Sequence, residues 1–177
     1  MTSRKDIEKI AGRIRNVPDF PKKGIVFKDI TPVLSDVSTL RASVKEMATP
    51  FVNSGINVVV GIESRGFIFG APIADMLNCS FVPVRKPGKL PWKTRSITYE
   101  LEYGTDTLEI HEDSIAEGQN VLIVDDLLAT GGTAEATCKL VSELGGNIKG
   151  VSLLIELEVL NGREKLNQYN VHSLVQY

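Results

Sequence analysis

The sequence predicts an α/β fold: one domain built on a central, mainly parallel sheet with helices on both faces. Three observations carry this. The runs 57–62 (NVVVGI), 121–124 (VLIV) and 150–155 (GVSLLI) are short, apolar and rich in β-branched residues, as in strands covered on both faces. Stretches with apolar residues at helical spacing alternate with them, which is the pattern of a three-layer α/β domain. A chain of 177 residues, 42% hydrophobic and 24% charged, suits one domain that buries roughly two thirds of its unfolded surface.

In chain order, a first helix starts at about Ser3, whose hydroxyl can cap it, with Ile7, Ile10, Ala11 and Ile14 on one face; Pro18 and Pro21 end it. Residues 19–32 (DFPKKGIVFKDITP) read as a Pro/Gly-punctuated loop around the apolar run Ile25, Val26 and Phe27. A second helix fits 38–49, just before Pro50, with Leu40, Val44, Met47 and Ala48 at helical spacing. The strand 57–62, the segment ESRGF and an apolar helix to Leu77 form a β-loop-α unit. Strands over 81–84, 121–124 and 150–155 follow, with a helix over 133–144 stopped by Gly145-Gly146. The alternating tail 171–177 (VHSLVQY) supplies a last strand. Between the second and third strands, 85–110 is long and irregular, with a hairpin around Tyr103-Gly104; such a length points to a functional lid.

The chemistry centres on 121–133, VLIVDDLLATGGT. A buried strand ends in Asp125 and Asp126, and the chain passes through Thr130-Gly131-Gly132-Thr133 into a helix. Ligands of open α/β sheets bind at the carboxyl ends of strands, and a glycine turn leading into a helix N-terminus turns backbone N–H groups toward an anion. Adjacent carboxylates do not bind phosphate, so they face hydrogen-bond donors or positive charge. Vicinal ribose hydroxyls, beside a sugar cation that the acids stabilise electrostatically, fit both. The motif therefore predicts a sugar phosphate. A P-loop needs Lys after the glycines, and Thr133 stands there. A response-regulator receiver needs an Asp at the end of a later strand, and none follows Asp126.

VLIVDDLLATGGT resembles the phosphoribosyl-diphosphate signature of type I phosphoribosyltransferases, in the form typical of the adenine-specific branch. DFPKKGIVFKDITPVL, GIESRGFIFG, RKPGKLP, LEYGTDTLEIH and GREKL match the same branch in order, so the resemblance covers nearly the whole chain. It implies the type I phosphoribosyltransferase fold, with an N-terminal helix and base-binding hood over 1–35, a core over 36–177 and a flexible lid over about 86–106. It implies that Ala129, Thr130, Gly131, Gly132 and Thr133 hold the 5′-phosphate of 5-phospho-α-D-ribose 1-diphosphate while Asp125 and Asp126 hold the ribose. Ser64 and Arg65 would form a tight loop against diphosphate, in some members through a cis peptide between Glu63 and Ser64; Arg85, Lys86 and Lys89 would reach diphosphate too.

For the base, the resemblance implies Phe27 stacked on adenine, Leu157 on the opposite face, and main-chain groups of Val26 and Lys28 reading the ring edge. Glu102 matches the general acid/base, with Tyr103 and Arg65 also at the reaction centre. The products would be AMP and diphosphate. Mg2+ would arrive on the diphosphate with no dedicated metal cage, and the enzyme would be a homodimer. Transferases for hypoxanthine-guanine, xanthine or orotate, and a non-catalytic regulator that binds phosphoribosyl diphosphate, remain as alternatives.

Composition bounds the rest. A net charge of −2 and a pI near 5.8 lack the basic field that nucleic-acid or anionic-membrane binding relies on, although Arg85, Lys86, Lys89, Lys93 and Arg95 cluster in one segment. Cys79 and Cys138 have no zinc-type spacing, the first residues are too charged for a signal peptide, and no run of eighteen apolar residues occurs. A cytoplasmic protein that contacts neither membrane nor nucleic acid is expected.

Overall fold

The computed structural model describes residues 3–100 and 104–177. Its centre is a five-stranded, all-parallel sheet in the order β4-β3-β7-β8-β9, formed by β3 (Val58–Ile62), β4 (Ser80–Val84), β7 (Asn120–Leu128), β8 (Asn147–Glu156) and β9 (Val171–Gln176). Over most of their length alternate residues of these strands enter opposite cores, Leu154 and Ile155 at the end of β8 both joining the second. Val58, Val60, Ile62, Val121, Ile123, Val151 and Leu153 join one core; Val59, Leu122, Val124, Leu154 and Ile155 join the other. That two-sided burial is why the strands read as continuous apolar runs.

One core is closed by α5 (Gly132–Glu143), the other by α1 (Arg4–Ala11), α3 (Val37–Ala48) and α4 (Gly66–Leu77). Ser3 caps α1, accepting from the Asp6 N–H at 3.3 Å. That helix stops at Ala11, short of Pro18, because the chain turns at Gly12 into β1 (Arg15–Pro18); Ile14 stays buried beyond the helix. α3 starts at Val37 because Asp36 accepts from the N–H groups of Ser38 and Thr39. Its most buried face carries Thr39, Ser43, Glu46 and Met47, while Leu40 and Val44 are only partly buried. Beyond α5, Gly145 (φ +83°) donates to Ser142 O and Gly146 to Val141 O, both at 3.0 Å, the glycine stop that the sequence predicts.

The segment 19–32, expected to be a loop, is regular, and within 85–110 the hairpin expected around Tyr103-Gly104 is present with longer, more regular strands than the sequence suggests. Within 19–32, β2 (Val26–Asp29) pairs antiparallel with β1, and a short helix, α2 (Thr31–Leu34), follows. Within 85–110, β5 (Thr94–Glu100) and β6 (Thr105–His111) form an antiparallel hairpin from Thr94↔His111 to Glu100↔Thr105. The tip lies outside the described residues, and Gly104 beside it has φ +84°. Leu108 and Ile110 of β6 are fully buried in the α5-side core, so the base of the hairpin is part of the domain.

Candidate active site

From β3 the chain runs out through α4 to β4, then returns past β3 to build β7, β8 and β9 on the other side. The order therefore reverses between β3 and β7, the position where open α/β sheets bind ligands. A cavity of about 320 Å³ lies there. It is lined by Glu63, Ser64, Arg65 and Lys86 on one side and by 125–134, from Asp125 through the glycine turn to Ala134, on the other.

The β7 side has the geometry of an anion cradle. α5 begins at Gly132 behind Gly131, and no side chain caps it, so its first-turn N–H groups remain for a ligand. Gly131 is at φ +80°, and a Cβ there would lie 2.4 Å from the carbonyl oxygen of Gly162. A Cβ on Gly162 would in turn lie 2.1 Å from the Ala129 oxygen, so the turn is seated backbone to backbone on the GREKL segment. The hydroxyls of Tyr99 and Thr133 are hydrogen-bonded at 3.1 Å, joining the hairpin to the start of α5.

The acids differ in environment. Asp126 is 4% exposed and takes a hydrogen bond and ion pair from Arg65. Burial works against the Arg65 charge, but Asp126 and then Asp125 hold its pKa above the ordinary value. The Asp125 carboxyl is pushed well above the usual carboxylate range, first by burial and next by the charge of Asp126. Its Oδ1 accepts from the Asp126 N–H at 2.9 Å.

On the β3 side the Glu63–Ser64 peptide is cis. Beyond its place in that peptide the sequence gives Glu63 no role, yet its carboxylate gathers the basic segment: it accepts from Lys89, from the Lys86 N–H at 2.9 Å and from Arg85 Nε at 3.3 Å. Burial would raise its pKa, and these donors hold it below the ordinary value. Arg85 and Lys89 are thus tied to Glu63 and do not line the cavity, whereas Lys86 does. The Lys86 ammonium pairs with Asp106, another residue the sequence did not mark, which also accepts from the Tyr99 hydroxyl at 3.3 Å. Those partners sit about twenty or more positions apart in the chain, so no local pattern announces them.

The hood residues stand beside the cavity rather than in its wall. Phe27 packs edge-on against Phe20, centroids 5.2 Å apart, and lies 5.8 Å from the Arg65 guanidinium carbon. Val26 is half exposed, and Lys28 donates to Asn16 at 2.8 Å with its ammonium 3.5 Å above the Tyr177 ring. The Leu157 N–H donates to Leu128 O at 2.9 Å, which sets it directly beyond the end of β7. Glu102 and Tyr103 lie outside the described residues. Among the described residues, no group of three or more His, Cys, Asp or Glu side chains is arranged to hold a metal ion.

Residues 33–171 match a family described as the phosphoribosyl transferase domain. The adenine phosphoribosyltransferase of Nitrosococcus oceani is 54% identical over 171 residues, covering 97% of this chain and 100% of that protein. The solved adenine phosphoribosyltransferase of Thermoanaerobacter pseudethanolicus superposes with a TM-score of 0.94 at 54% identity, covering 97% of this chain and 99% of that one. The Saccharomyces cerevisiae enzyme, solved with adenine and D-2,5-dideoxy-2,5-imino-altritol 1,6-bisphosphate, superposes with a TM-score of 0.92 at 39% identity and the same coverage. Fold and site together define a phosphoribosyltransferase of type I architecture. The chain belongs to the adenine phosphoribosyltransferase family, the purine-salvage enzymes that form AMP and diphosphate from adenine and 5-phospho-α-D-ribose 1-diphosphate.

Proposed function

We propose that this reaction takes place in the cavity between β3 and β7, with the 5′-phosphate on 129–133 at the start of α5. The observation that carries the reading is the uncapped α5 N-terminus opening beside two acids at the sheet's reversal point. Asp125 and Asp126 hold the ribose hydroxyls, and Ser64, Arg65 and Lys86 face the diphosphate. Arg85 and Lys89, held by Glu63, support that loop from behind. Phe27 and Leu157 enclose adenine, and backbone groups of Val26 and Lys28 read its edge.

As a ring nitrogen of adenine forms its bond to the anomeric carbon, the carbon–oxygen bond to diphosphate breaks with its electron pair. The carboxylate of Glu102 takes the proton released by the base, with Tyr103 beside it. The acids stabilise positive charge developing on the ribose, and Arg65 and Lys86 stabilise negative charge on the leaving group. Asp125 and Asp126 suit a cation held mostly by substrate oxygens and water, and Mg2+ carried in this way would offset the diphosphate charge.

We also propose a homodimer, supported by a largely apolar groove between α3 and α4 lined by Leu40, Val44, Ile68, Pro72 and Met76 and flanked by Arg41 and Lys45; light scattering at a dimer mass tests it. Among the described residues no helix is long and apolar enough to cross a membrane, and a cytoplasmic location is proposed on the two free thiols, Cys79 and Cys138. The decisive assay measures AMP formed from adenine in competition with hypoxanthine, guanine, xanthine and orotate. Adenine is expected to be the preferred acceptor, and equal turnover of hypoxanthine would overturn the base assignment. Glu102→Gln is expected to lower kcat by about a hundredfold or more, and unchanged turnover removes Glu102 from the proton transfer.

A further inference from the structure

The GREKL segment contains an ion pair that the proposed mechanism leaves unused. Arg163 forks onto Glu156, with Nε donating to Oε1 at 2.8 Å and Nη2 to Oε2 at 2.5 Å. Its other edge donates to Val171 O at 2.9 Å and to the Ser173 hydroxyl at 3.1 Å; that hydroxyl donates to Glu156 at 2.6 Å. Glu156, the last residue of β8, is 4% exposed. Such planar, two-point pairing fixes orientation as well as distance.

The pair closes the loop 157–162, whose two ends touch different halves of the site. At one end, Leu157 is tied to Leu128 just before the glycine turn. At the other, Gly162 lies so close beneath the turn that an added Cβ would sit 2.1 Å from Ala129 O and 2.9 Å from Gly131 N. Between them Asn161 reverses the chain at φ +51°.

We propose that Glu156 and Arg163 are positioning residues for both substrates: their fork presses Gly162 against the underside of the phosphate-binding turn and holds Leu157 at the wall of the base site. The inference rests on the assignment of 129–133 to the 5′-phosphate. The competing role is purely structural, a fastening of β8 to β9 through Val171 and Ser173.

Kinetics and thermal unfolding of the full chain separate the two. Glu156→Gln puts an amide against the guanidinium, and Arg163→Lys keeps the charge while giving up the fork. Should the first fail to fold, the second carries the same test. Both are expected to raise the KM for phosphoribosyl diphosphate about tenfold and to raise that for adenine as well, since small misplacements of a binding loop cost heavily. KM and kcat per folded enzyme within twofold of the parent, with only Tm lowered, would overturn the proposal. Thr133→Val is assayed alongside. If it raises the KM for phosphoribosyl diphosphate while neither pair variant does, the clasp alone fails; if its own KM is unmoved, the phosphate reading falls and takes the clasp with it.

Discussion

Arg65, the residue before α4, donates to Asp126 near the end of β7, so one ion pair spans the gap between the two strands that bound the cavity. The same guanidinium lies near Phe27, which brings the β1–β2 segment to the rim of the cavity. Arg65→Ala leaves a nearly buried carboxylate without its partner. It is expected to raise the KM for phosphoribosyl diphosphate by about ten- to a hundredfold, or ~1.4–3 kcal/mol. Initial-rate kinetics check this, and an unmoved KM removes Arg65 from the site.

Gly131 has a positive φ and no room for a methyl group against Gly162. In Gly131→Ala the left-handed backbone alone costs about 1–2 kcal/mol, worth roughly 2–8 °C in Tm at this size, and the turn must also shift off Gly162. Calorimetry should show the lower Tm, and the KM for phosphoribosyl diphosphate should rise more than the KM for adenine. Equal rises would mean that the turn does not serve the phosphate in particular.

Asp125 yields a pH prediction. Its folded-state pKa lies above the unfolded value of 3.8, so the folded state binds its proton more tightly, and stability falls as pH rises from that value through the folded one. Asp125→Asn keeps an acceptor for the Asp126 N–H without the charge. The variant is expected to melt higher than the parent at pH 7, with the difference closing below about pH 3.8, while binding phosphoribosyl diphosphate more weakly. A Tm difference independent of pH would show that ionisation of this carboxyl is not its source.

The central sheet was legible because β3, β7 and β8 are buried on both faces and therefore carry uninterrupted apolar runs. The glycine turn was legible because its residue types follow from backbone geometry at one place in the chain. The hood sheet was not, since Pro18, Pro21 and Gly24 punctuate it and its order comes from β1 pairing with β2 across a turn. The place of the β5–β6 hairpin was legible from its turn, but the extent of its strands was not, since only Ile97 and Tyr99 on one strand, with Leu108 and Ile110 on the other, supply an inward face, too few for a clear period of two. Glu63 and Asp106 stayed silent because an ion pair between distant segments leaves no mark on either one alone.

Parallel pairing of Val58 to Gly61 with Val121 to Val124 places the β3 and β7 loops one strand spacing apart, about 4.8 Å where they leave the carboxyl end of the sheet. On the proposed assignment the sheet is a ruler for the sugar: one loop meets the leaving group, the next meets the far phosphate, and their separation is set by main-chain hydrogen bonds. Side-chain replacements can retune the base, since the hood lies outside that ruler. Accepting a longer or shorter sugar phosphate would take insertions or deletions in the loops themselves.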